Sequence, residues 1–149
     1  MEHVSKFSNG NIAWHLKNFT TVVEETGELG VIEFDKEFDF FVKRVFFLRN
    51  IKNSAIRGLH SHKELKQLIV CLKGYFTINL NSGINQESFK LDESINCLFV
   101  DGKVWREMLD FSQDAVMLVL CDREYRFDEV IRDYSEFQKN LEEVNLVGI

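Results

Sequence analysis

Short runs of β-forming residues, separated by turn signals, recur along this chain and constrain its fold more than any other feature. Residues 76–80 alternate apolar and polar side chains, the pattern of a strand with one face in water. Residues 116–120 are apolar throughout, as in a central strand buried on both faces. The runs that we predict as strands are 31–34, 42–48, 66–72, 75–80, 87–91, 97–100, 104–109 and 115–121. Many short strands with tight turns favour an all-β sandwich or barrel.

The C-terminal part of the chain is the only stretch with a helical pattern. From residue 132 onward, apolar residues recur at three- and four-residue spacing, namely Tyr134, Phe137 and Leu141. We predict a helix that packs on the rim of the sheets, with Asp133 or Ser135 as its N-cap. Earlier in the chain, the Asn-Ser-Gly sequence at 81–83 predicts a hairpin turn in which Gly83 has a positive φ.

The length and charge of the chain limit the functions open to it. A chain of 149 residues has the size of one domain, and we expect a single domain over residues 1–149. The formal net charge of −6 argues against nucleic-acid binding, which requires clustered Lys and Arg. No apolar run approaches the roughly 20 residues that cross a bilayer, and residues 1–6 lack the apolar core of a signal peptide. We therefore expect a cytoplasmic protein with no membrane or nucleic-acid partner.

Three cysteines, Cys71, Cys97 and Cys121, lie in apolar runs without any CxxC spacing. A free cysteine in such a run behaves as a small buried hydrophobe. Because the number of cysteines is odd and no CxxC motif is present, we expect buried thiols and no disulfide framework.

The chemistry of the chain is concentrated in His60-Ser61-His62. On an extended strand, residues i and i+2 point to the same face, so the two imidazoles are expected to lie side by side. Two groups that titrate near neutrality in one cavity can bind a metal ion or transfer protons. A pair of histidines that merely belongs to a strand is a third interpretation.

The spacing around the two histidines resembles the first metal-binding motif of the cupins. That motif is His-x-His, four residues, a glutamate, six residues and a glycine. This chain keeps the spacing and has Gln67 at the glutamate position and Gly74 at the glycine position. A cupin metal site also takes a further histidine from a later motif. At the corresponding place this chain has Trp105 and Arg106. Since a carboxamide is a weaker ligand than a carboxylate and a cationic Arg106 repels a divalent ion, we expect no metal.

Three longer stretches resemble one narrower family, the WxcM-like sugar-nucleotide 3,4-ketoisomerases. They are residues 42–47 leading to 57–63, residues 104–112, and residues 114–137. Their order and spacing both agree with that family, and the similarity extends over roughly residues 25–140. Motifs of this length are far more specific than an isolated His-x-His.

The resemblance implies a cupin-type jelly roll with a short C-terminal helix, which assembles as a homodimer and uses no metal or other cofactor. The implied substrate is a dTDP-linked 4-keto-6-deoxyhexose, such as dTDP-4-keto-6-deoxyglucose, whose carbonyl moves from C4 to C3. An aminotransferase then converts the 3-keto sugar into a 3-amino-3,6-dideoxyhexose for surface polysaccharides. Some relatives have histidine and others arginine at the position of Arg106. The configuration of the product at C4, gluco or galacto, therefore stays open, and gluco is weakly favoured.

Imidazole groups can account for this proton transfer, because their pKa lies near the working pH. We predict that His60 is the principal base and acid and that His62 is its proton partner or orients it. Two imidazoles this close titrate as a coupled pair, so one of them stays neutral and competent as a base.

Four arginines are candidates for binding the anionic parts of the substrate. The enediolate oxygens require positive or hydrogen-bonding groups, for which Arg57 and Arg106 are available. The diphosphate requires guanidinium forks, for which Arg44 and Arg49 are also available. For Arg57, a surface ion pair with Glu64 is an alternative.

Aromatic and acidic residues complete the predicted site. Trp105 is predicted to stack on thymine or line the sugar pocket, with core packing as its alternative. Glu107 is predicted to act on the substrate or to orient an arginine. Tyr125 and Tyr134 are expected to pack against the C-terminal tail.

Alternative functions follow from departures from the family pattern. Many relatives have tyrosines at the positions of Phe46 and Phe47, and this loss favours a non-catalytic sugar-nucleotide-binding cupin. Retention of both histidines and Arg57 favours the isomerase. Gln67 and Arg106 disfavour a metal-dependent cupin oxygenase, while epimerisation at C3 or C5 stays open because fold does not decide function.

Overall fold

Two antiparallel sheets that pack face to face make up most of the structure. The computed structural model describes residues 3–34 and 38–145. The first sheet has six strands in the order β1-β2-β10-β7-β12-β5, the second has five in the order β13-β6-β11-β8-β9, and β3 pairs with β4 in a separate hairpin. In chain order the strands are β1 (His3–Lys6), β2 (Ile12–Lys17), β3 (Thr20–Glu24), β4 (Gly27–Val31), β5 (Arg44–Leu48), β6 (Arg57–His62), β7 (Lys66–Lys73), β8 (Phe76–Asn81), β9 (Gln86–Leu91), β10 (Cys97–Asp101), β11 (Trp105–Leu109), β12 (Val116–Cys121) and β13 (Val130–Ile131).

The predicted C-terminal helix is confirmed as α1 (Tyr134–Asn145), which follows a short 3-10 helix at Phe127–Glu129. The carboxylate of Asp133 accepts hydrogen bonds from the backbone N–H groups of Ser135, at 2.8 Å, and Glu136, at 3.3 Å. Asp133 is therefore the N-cap of this helix. Within the described ranges, no helix is long and apolar enough to cross a membrane.

The core lies between the two sheets and follows the alternation of the strands. In β8, Phe76, Ile78 and Leu80 are buried between the sheets while the intervening polar residues face outward, as predicted. Residues 68–71 of β7 are buried on both faces, because a second apolar cluster around Phe40 covers the outer side. The strand predicted to be buried on both faces, β12, is buried on one face and half-buried on the other, because Leu118 and Leu120 pack only at the margin of this second apolar cluster.

Seven of the eight predicted strands are confirmed to within two residues, and the prediction for 31–34 is wrong. The strand in that region, β4, ends at Val31, and Phe34 forms an isolated bridge with Phe38. The limits of β4 are set by its pairing with β3, in which Glu24 lies opposite Gly27. The apolar residues at 31–34 alone do not show which strand they would pair with, so the limits of β4 could not be predicted from them. The all-β prediction, a jelly roll with a short C-terminal helix, is confirmed by the two stacked sheets.

Two local predictions are also confirmed. Gly83, in the turn between β8 and β9, has a φ of +90°. The three cysteines are each buried, as expected for small apolar side chains.

Gly74 lies in the turn between β7 and β8, where its φ is +71°. A Cβ at this position would meet the hydroxyl of Ser112, the carboxylate of Asp114 and the backbone of Ala115. The Ser112 hydroxyl also accepts a hydrogen bond from the Tyr75 N–H at 2.9 Å, which ties this turn to the loop before β12. The glycine of the cupin-like motif is therefore required by its conformation and by its neighbours.

Gly74→Ala is expected to lower the free energy of unfolding by more than the roughly 1–3 kcal/mol that a strained positive φ costs, because the new methyl group also clashes. Gly10→Ala is the matched control, since Gly10 has a φ of +91° but nothing within 4 Å of the added Cβ. Urea denaturation of both variants measures the difference. Equal losses in the two variants would contradict the role given to the packing around Gly74.

Candidate active site

A cavity of about 450 Å³ opens between the sheets and contains the two histidines. Strands from both sheets contribute to it, together with the segment that follows β12. Its lining residues are Arg44, Phe46, Arg57, His60, His62, Leu65, Gln67, Tyr125, Arg126, Glu129, Val130 and Arg132. The cupin-like motif thus converges on one site, because both histidines and Gln67 face this space.

The predicted side-by-side arrangement of His60 and His62 is confirmed. Their ring centroids are 4.8 Å apart, and the rings are nearly perpendicular, at 87°. Just before them, β6 departs from regular geometry, with φ values of +86° at Gly58 and +55° at Leu59. The register with β11 shifts at this point, as in a β-bulge, which redirects the side chains that follow.

The ring nitrogens of these histidines are unusually free for buried groups. Nδ1 of His60 and both ring nitrogens of His62 are inaccessible to solvent and have no hydrogen-bond partner among the described residues. Buried polar atoms of native proteins nearly always have a partner, and exceptions concentrate at functional sites. The hydrogen-bonding capacity of these ring nitrogens is therefore not used by any described residue, which marks the pair as a candidate functional site.

Both imidazoles are held in the neutral form. Burial, followed by the positive charge of Arg106, lowers the pKa of His60 to about 4, although the Gly58 carbonyl partly opposes the shift. The same two causes lower the pKa of His62 to about 2, with smaller contributions from the neighbouring His60 and from Arg44. The pKa near the working pH that the sequence analysis assumed is therefore not found in this structure. At neutral pH each ring is unprotonated, which is the state from which a general base acts.

Arg106 is buried beside the cavity, with only 1% of its surface exposed. Its Nη1 donates to Oε1 of Gln67 at 2.8 Å, and Nη2 donates to the carbonyls of Asp101 and Val104, both at 2.9 Å. Burial lowers the pKa of Arg106 to about 10, and the nearby Asp101 carboxylate opposes this shift. The guanidinium therefore remains charged at neutral pH.

The donor set of the cavity does not fit a divalent metal ion. The described part of the chain contains no cluster of three or more His, Cys, Asp or Glu side chains with the geometry of a metal site. At the third ligand position of the motif, the Gln67 oxygen accepts a hydrogen bond from Arg106. A cation at this position would face a fixed positive charge and a ligand oxygen that is already engaged.

The cavity is strongly cationic. Arg44 and Arg57 line it, as predicted, and so do Arg126 and Arg132, which the sequence analysis did not identify. The lining also contains one acidic residue, Glu129. One of its carboxylate oxygens accepts hydrogen bonds from the backbone N–H groups of residues 64 and 65. Four guanidinium groups and one engaged carboxylate favour an anionic ligand.

Aromatic rings fix the position of Arg44. Its guanidinium lies 5.7 Å from the ring of Phe46 and 5.5 Å from that of Tyr125. Tyr125 therefore contacts an arginine of the cavity, and the prediction that it packs against the tail is replaced by this contact. The Arg44 Nε is buried with no partner among the described residues, so its N–H is free for a ligand.

The structure does not bring Arg49, Trp105 and Glu107 to this cavity. Arg49 lies over the ring of Phe47, at 5.5 Å, next to the outward-facing side of β5. Trp105 and Glu107 line a separate groove, because Arg106 between them faces inward and alternate residues of a strand point to opposite faces. Tyr134, expected to pack against the tail, contacts Trp105 from α1.

The alternative ion pair of Arg57 with Glu64 is not formed. Glu64 pairs instead with Arg123, whose Nη1 lies 2.9 Å from the Glu64 carboxylate. Arg57 therefore keeps its place in the lining of the cavity without that competing partner.

These features define a jelly-roll cupin whose cavity holds neutral histidines and several arginines instead of a metal-binding donor set. Comparison with known families identifies its group more narrowly. The family model described as WxcM-like, C-terminal (FdtA), matches residues 12–142. The chain belongs to this family.

Several proteins similar to this chain are 3,4-ketoisomerases. A TDP-4-oxo-6-deoxy-α-D-glucose-3,4-oxoisomerase of Aneurinibacillus thermoaerophilus is 38% identical over 129 residues, which are 87% of this chain and 93% of the relative. One similar crystal structure is that of a His-to-Asn mutant of a 3,4-ketoisomerase from Thermoanaerobacterium thermosaccharolyticum in complex with TDP-4-keto-6-deoxyglucose. Its TM-score is 0.82 at 30% sequence identity, and the match covers 88% of this chain and 95% of that one. A 3,4-ketoisomerase from Helicobacter canadensis has a TM-score of 0.80 at 37% identity, covering 86% and 96%. The predicted cupin-type fold is confirmed by these neighbours.

Removing the charge of Arg106 is expected to raise the pKa of both histidines, since that charge lowers them. Arg106→Met is expected to give the larger rise and Arg132→Gln a smaller one, because Arg132 contributes least to both shifts. Titration of the histidine Hε1 signals by NMR measures the values.

Arg126→Gln is the matched control, since Arg126 lines the same cavity but does not contribute to either shift. If Arg106→Met fails to fold, Arg132→Gln still tests the electrostatic effect. Unchanged histidine pKa values in a folded Arg132→Gln variant would contradict it.

Proposed function

We propose that this chain is a sugar-nucleotide 3,4-ketoisomerase that converts dTDP-4-keto-6-deoxyglucose to its 3-keto isomer. The observation that carries the proposal is the pair of neutral, unpartnered imidazoles in a cavity lined by four arginines. The activities of the similar 3,4-ketoisomerases agree with it, and one of them was crystallised with that 4-keto sugar nucleotide. The product enters the biosynthesis of a dTDP-3-amino-3,6-dideoxyhexose.

The proposed reaction is two proton transfers that leave the overall composition unchanged. His60 removes the proton from C3, and the electrons of that C–H bond form the C3–C4 double bond of an enediolate. Between the two transfers at carbon, the proton of the C3 hydroxyl passes to the former C4 carbonyl oxygen. A proton returned to C4 then leaves the carbonyl at C3. Imidazole suits both steps because it can accept and donate within one active site.

His62 acts in this scheme as the neutral partner of His60. The 4.8 Å separation of the rings supports this assignment, since a ring so close can orient the first imidazole or exchange a proton with it after a small rotation. Burial and the charge of Arg106 lower the pKa of both rings, so both are unprotonated at neutral pH. The choice of His60 as the base and His62 as its partner is the one predicted from the sequence motif.

Positive charge stabilises the proposed enediolate. The Arg106 guanidinium already acts on both imidazoles through the buried interior, and it acts in the same way on a developing negative charge nearby. Arg57 lines the cavity beside His60 and is available to the substrate oxygens. No step of this scheme requires a metal or another cofactor.

The remaining cavity arginines are proposed to hold the diphosphate. Arg44 is oriented by two aromatic rings and has a free Nε–H, while Arg126 and Arg132 approach from the segment after β12. Guanidinium forks match phosphate oxygens in geometry and charge. Arg49, predicted from the sequence for this role, is replaced by these residues because of its position on the outer face.

A homodimer is proposed from apolar surfaces that the single chain leaves uncovered. The hairpin of β3 and β4 has exposed Val22, Val23 and Leu29, and an isolated two-stranded hairpin is marginally stable in water. The edge strand β5 likewise exposes Val45 and Phe47. A second copy of the chain that covers these surfaces would stabilise both.

The single domain over residues 1–149 and the cytoplasmic location both stay predictions. The first and last residues of the predicted domain, 1 and 149, lie outside the residues that the structure describes. A cytoplasmic location is proposed from the sequence alone.

The function is tested by incubating the protein with dTDP-4-keto-6-deoxyglucose in deuterated water and analysing the product by NMR. We expect the carbonyl at C3 and deuterium at C4. A carbonyl still at C4 with deuterium at C3 or C5 would indicate epimerase chemistry, and an unlabelled, unchanged substrate that binds would indicate a non-catalytic cupin. Either result would overturn the proposal.

His60→Asn is expected to lower kcat by roughly 10²–10⁴-fold with KM nearly unchanged, because the general base is lost while asparagine retains some hydrogen-bonding capacity. His62→Asn is the comparison and is expected to have the smaller effect. Exchange of the C3 hydrogen with solvent reports proton abstraction directly. Wild-type exchange in His60→Asn would show that another group is the base.

Val23→Asp and Phe47→Asp are expected to shift the protein from dimer to monomer, because each places a charge on an apolar surface that the partner would cover. These side chains are 74% and 56% exposed in the single chain. Ile84→Asp is the control, since Ile84 is 51% exposed at the turn between β8 and β9. Sedimentation velocity measures the mass, and a wild-type protein that sediments as a single chain would contradict the dimer.

A further inference from the structure

A groove on the outer face of the second sheet carries chemistry that the histidine cavity does not use. Its volume is about 490 Å³, and α1 contributes Tyr134 to its wall. The strand register aligns Trp105, Asn81 and Gln86 in one row across β11, β8 and β9. The next outward-facing row consists of Glu107, Asn79 and Ser88. Alternation along β11 places this groove on the opposite side of the sheet from Arg106 and the cavity.

Some polar groups in the groove hold one another in place. The Ser88 hydroxyl donates to Oδ1 of Asn79 at 2.8 Å, and Nδ2 of Asn81 donates to the Tyr134 hydroxyl at 2.9 Å. The Trp105 ring is fixed by Tyr134 and Phe137, each with its ring centroid 5.3 Å away. The side chains are therefore positioned before any ligand binds, which reduces the entropy lost on binding.

Other groups in the groove have no hydrogen bond or ion pair to any side chain that the structure describes. They are the indole N–H of Trp105 and the carboxylate of Glu107, and both side chains are partly buried. The groove thus offers a donor and an acceptor beside fixed amide and hydroxyl groups. Paired donors and acceptors of this kind match hydroxyl groups, which both donate and accept.

The charge of the groove selects against phosphate. Glu87 and Glu107 line it, and neither lysine nor arginine does. Glu87 is already engaged by the Trp14 indole and by His3. A nucleotide or a phosphorylated sugar would therefore be repelled, in contrast to the cavity with its four arginines.

We propose that this groove is a binding site for a neutral saccharide. The hydroxyl groups of one hexose ring would bond to Glu107, Asn79 and the Trp105 N–H, and an apolar face of the ring would pack on the aromatic side chains. The site is separate from the proposed isomerase cavity and does not depend on it. Its ligand differs in charge from a sugar nucleotide, so the two sites bind different classes of molecule.

Tryptophan NMR signals test this site directly, because the chain has two tryptophans and Trp14 is fully buried. The ¹⁵N-labelled protein is titrated with methyl glycosides of glucose, galactose, mannose and fucose, and Trp105→Phe assigns the two indole signals. We expect at least one glycoside to shift the Trp105 signal saturably while the Trp14 signal stays unchanged. Glycerol and TDP are the control ligands and are expected to leave the Trp105 signal in place.

Asn79→Ala and Glu107→Gln are expected to weaken glycoside binding about fivefold or more, as the loss of one hydrogen bond does. Saturation-transfer NMR on these variants measures the change, and Ser88→Ala replaces either variant if it fails to fold. The proposal is overturned if no glycoside gives a saturable shift, if TDP shifts Trp105 equally, or if the folded variants bind as the wild type does.

Discussion

The buried guanidinium of Arg106 is the interaction on which the site depends. Removing a charge from water costs several kcal/mol unless hydrogen bonds compensate, and here the carbonyls of residues 101, 102 and 104 and the Gln67 side chain accept its N–H groups. The same charge lowers the pKa of both histidines and occupies the carboxamide that replaces a metal ligand. One side chain thus makes the cavity a place for neutral imidazoles rather than for a cation.

The charge of the cavity is opposite to that of the whole chain. The formal net charge is −6, yet the cavity is lined by four arginines. A concave site with walls of low dielectric constant focuses the field of the charges that line it, so the local field decides which ligand enters. The overall charge therefore argued against a nucleic-acid partner but carried no information on the local affinity of the cavity for an anionic ligand.

The sequence predicted the parts of the site that follow from local periodicity and motif spacing. The two histidines share a face because β6 is extended, and Gln67 joins them at the spacing of the motif. Arg126 and Arg132 were missed because they follow β12 in a segment without a regular pattern, and only the tertiary fold brings it over the cavity. Trp105 and Glu107 were placed with Arg106 because they are neighbours in sequence, although strand alternation directs them to the other face.

The conformation of Leu59 has a consequence for attempts to engineer this protein. A leucine with a φ of +55° is rare, and the left-handed conformation costs about 1–2 kcal/mol relative to a regular strand. This cost is located at the bulge that directs the side chain of the next residue, His60. Selection for thermal stability alone would favour glycine or asparagine here, or a straightened strand. The first two changes relieve the strain and preserve the bulge, whereas straightening would gain stability at the expense of the imidazole's direction.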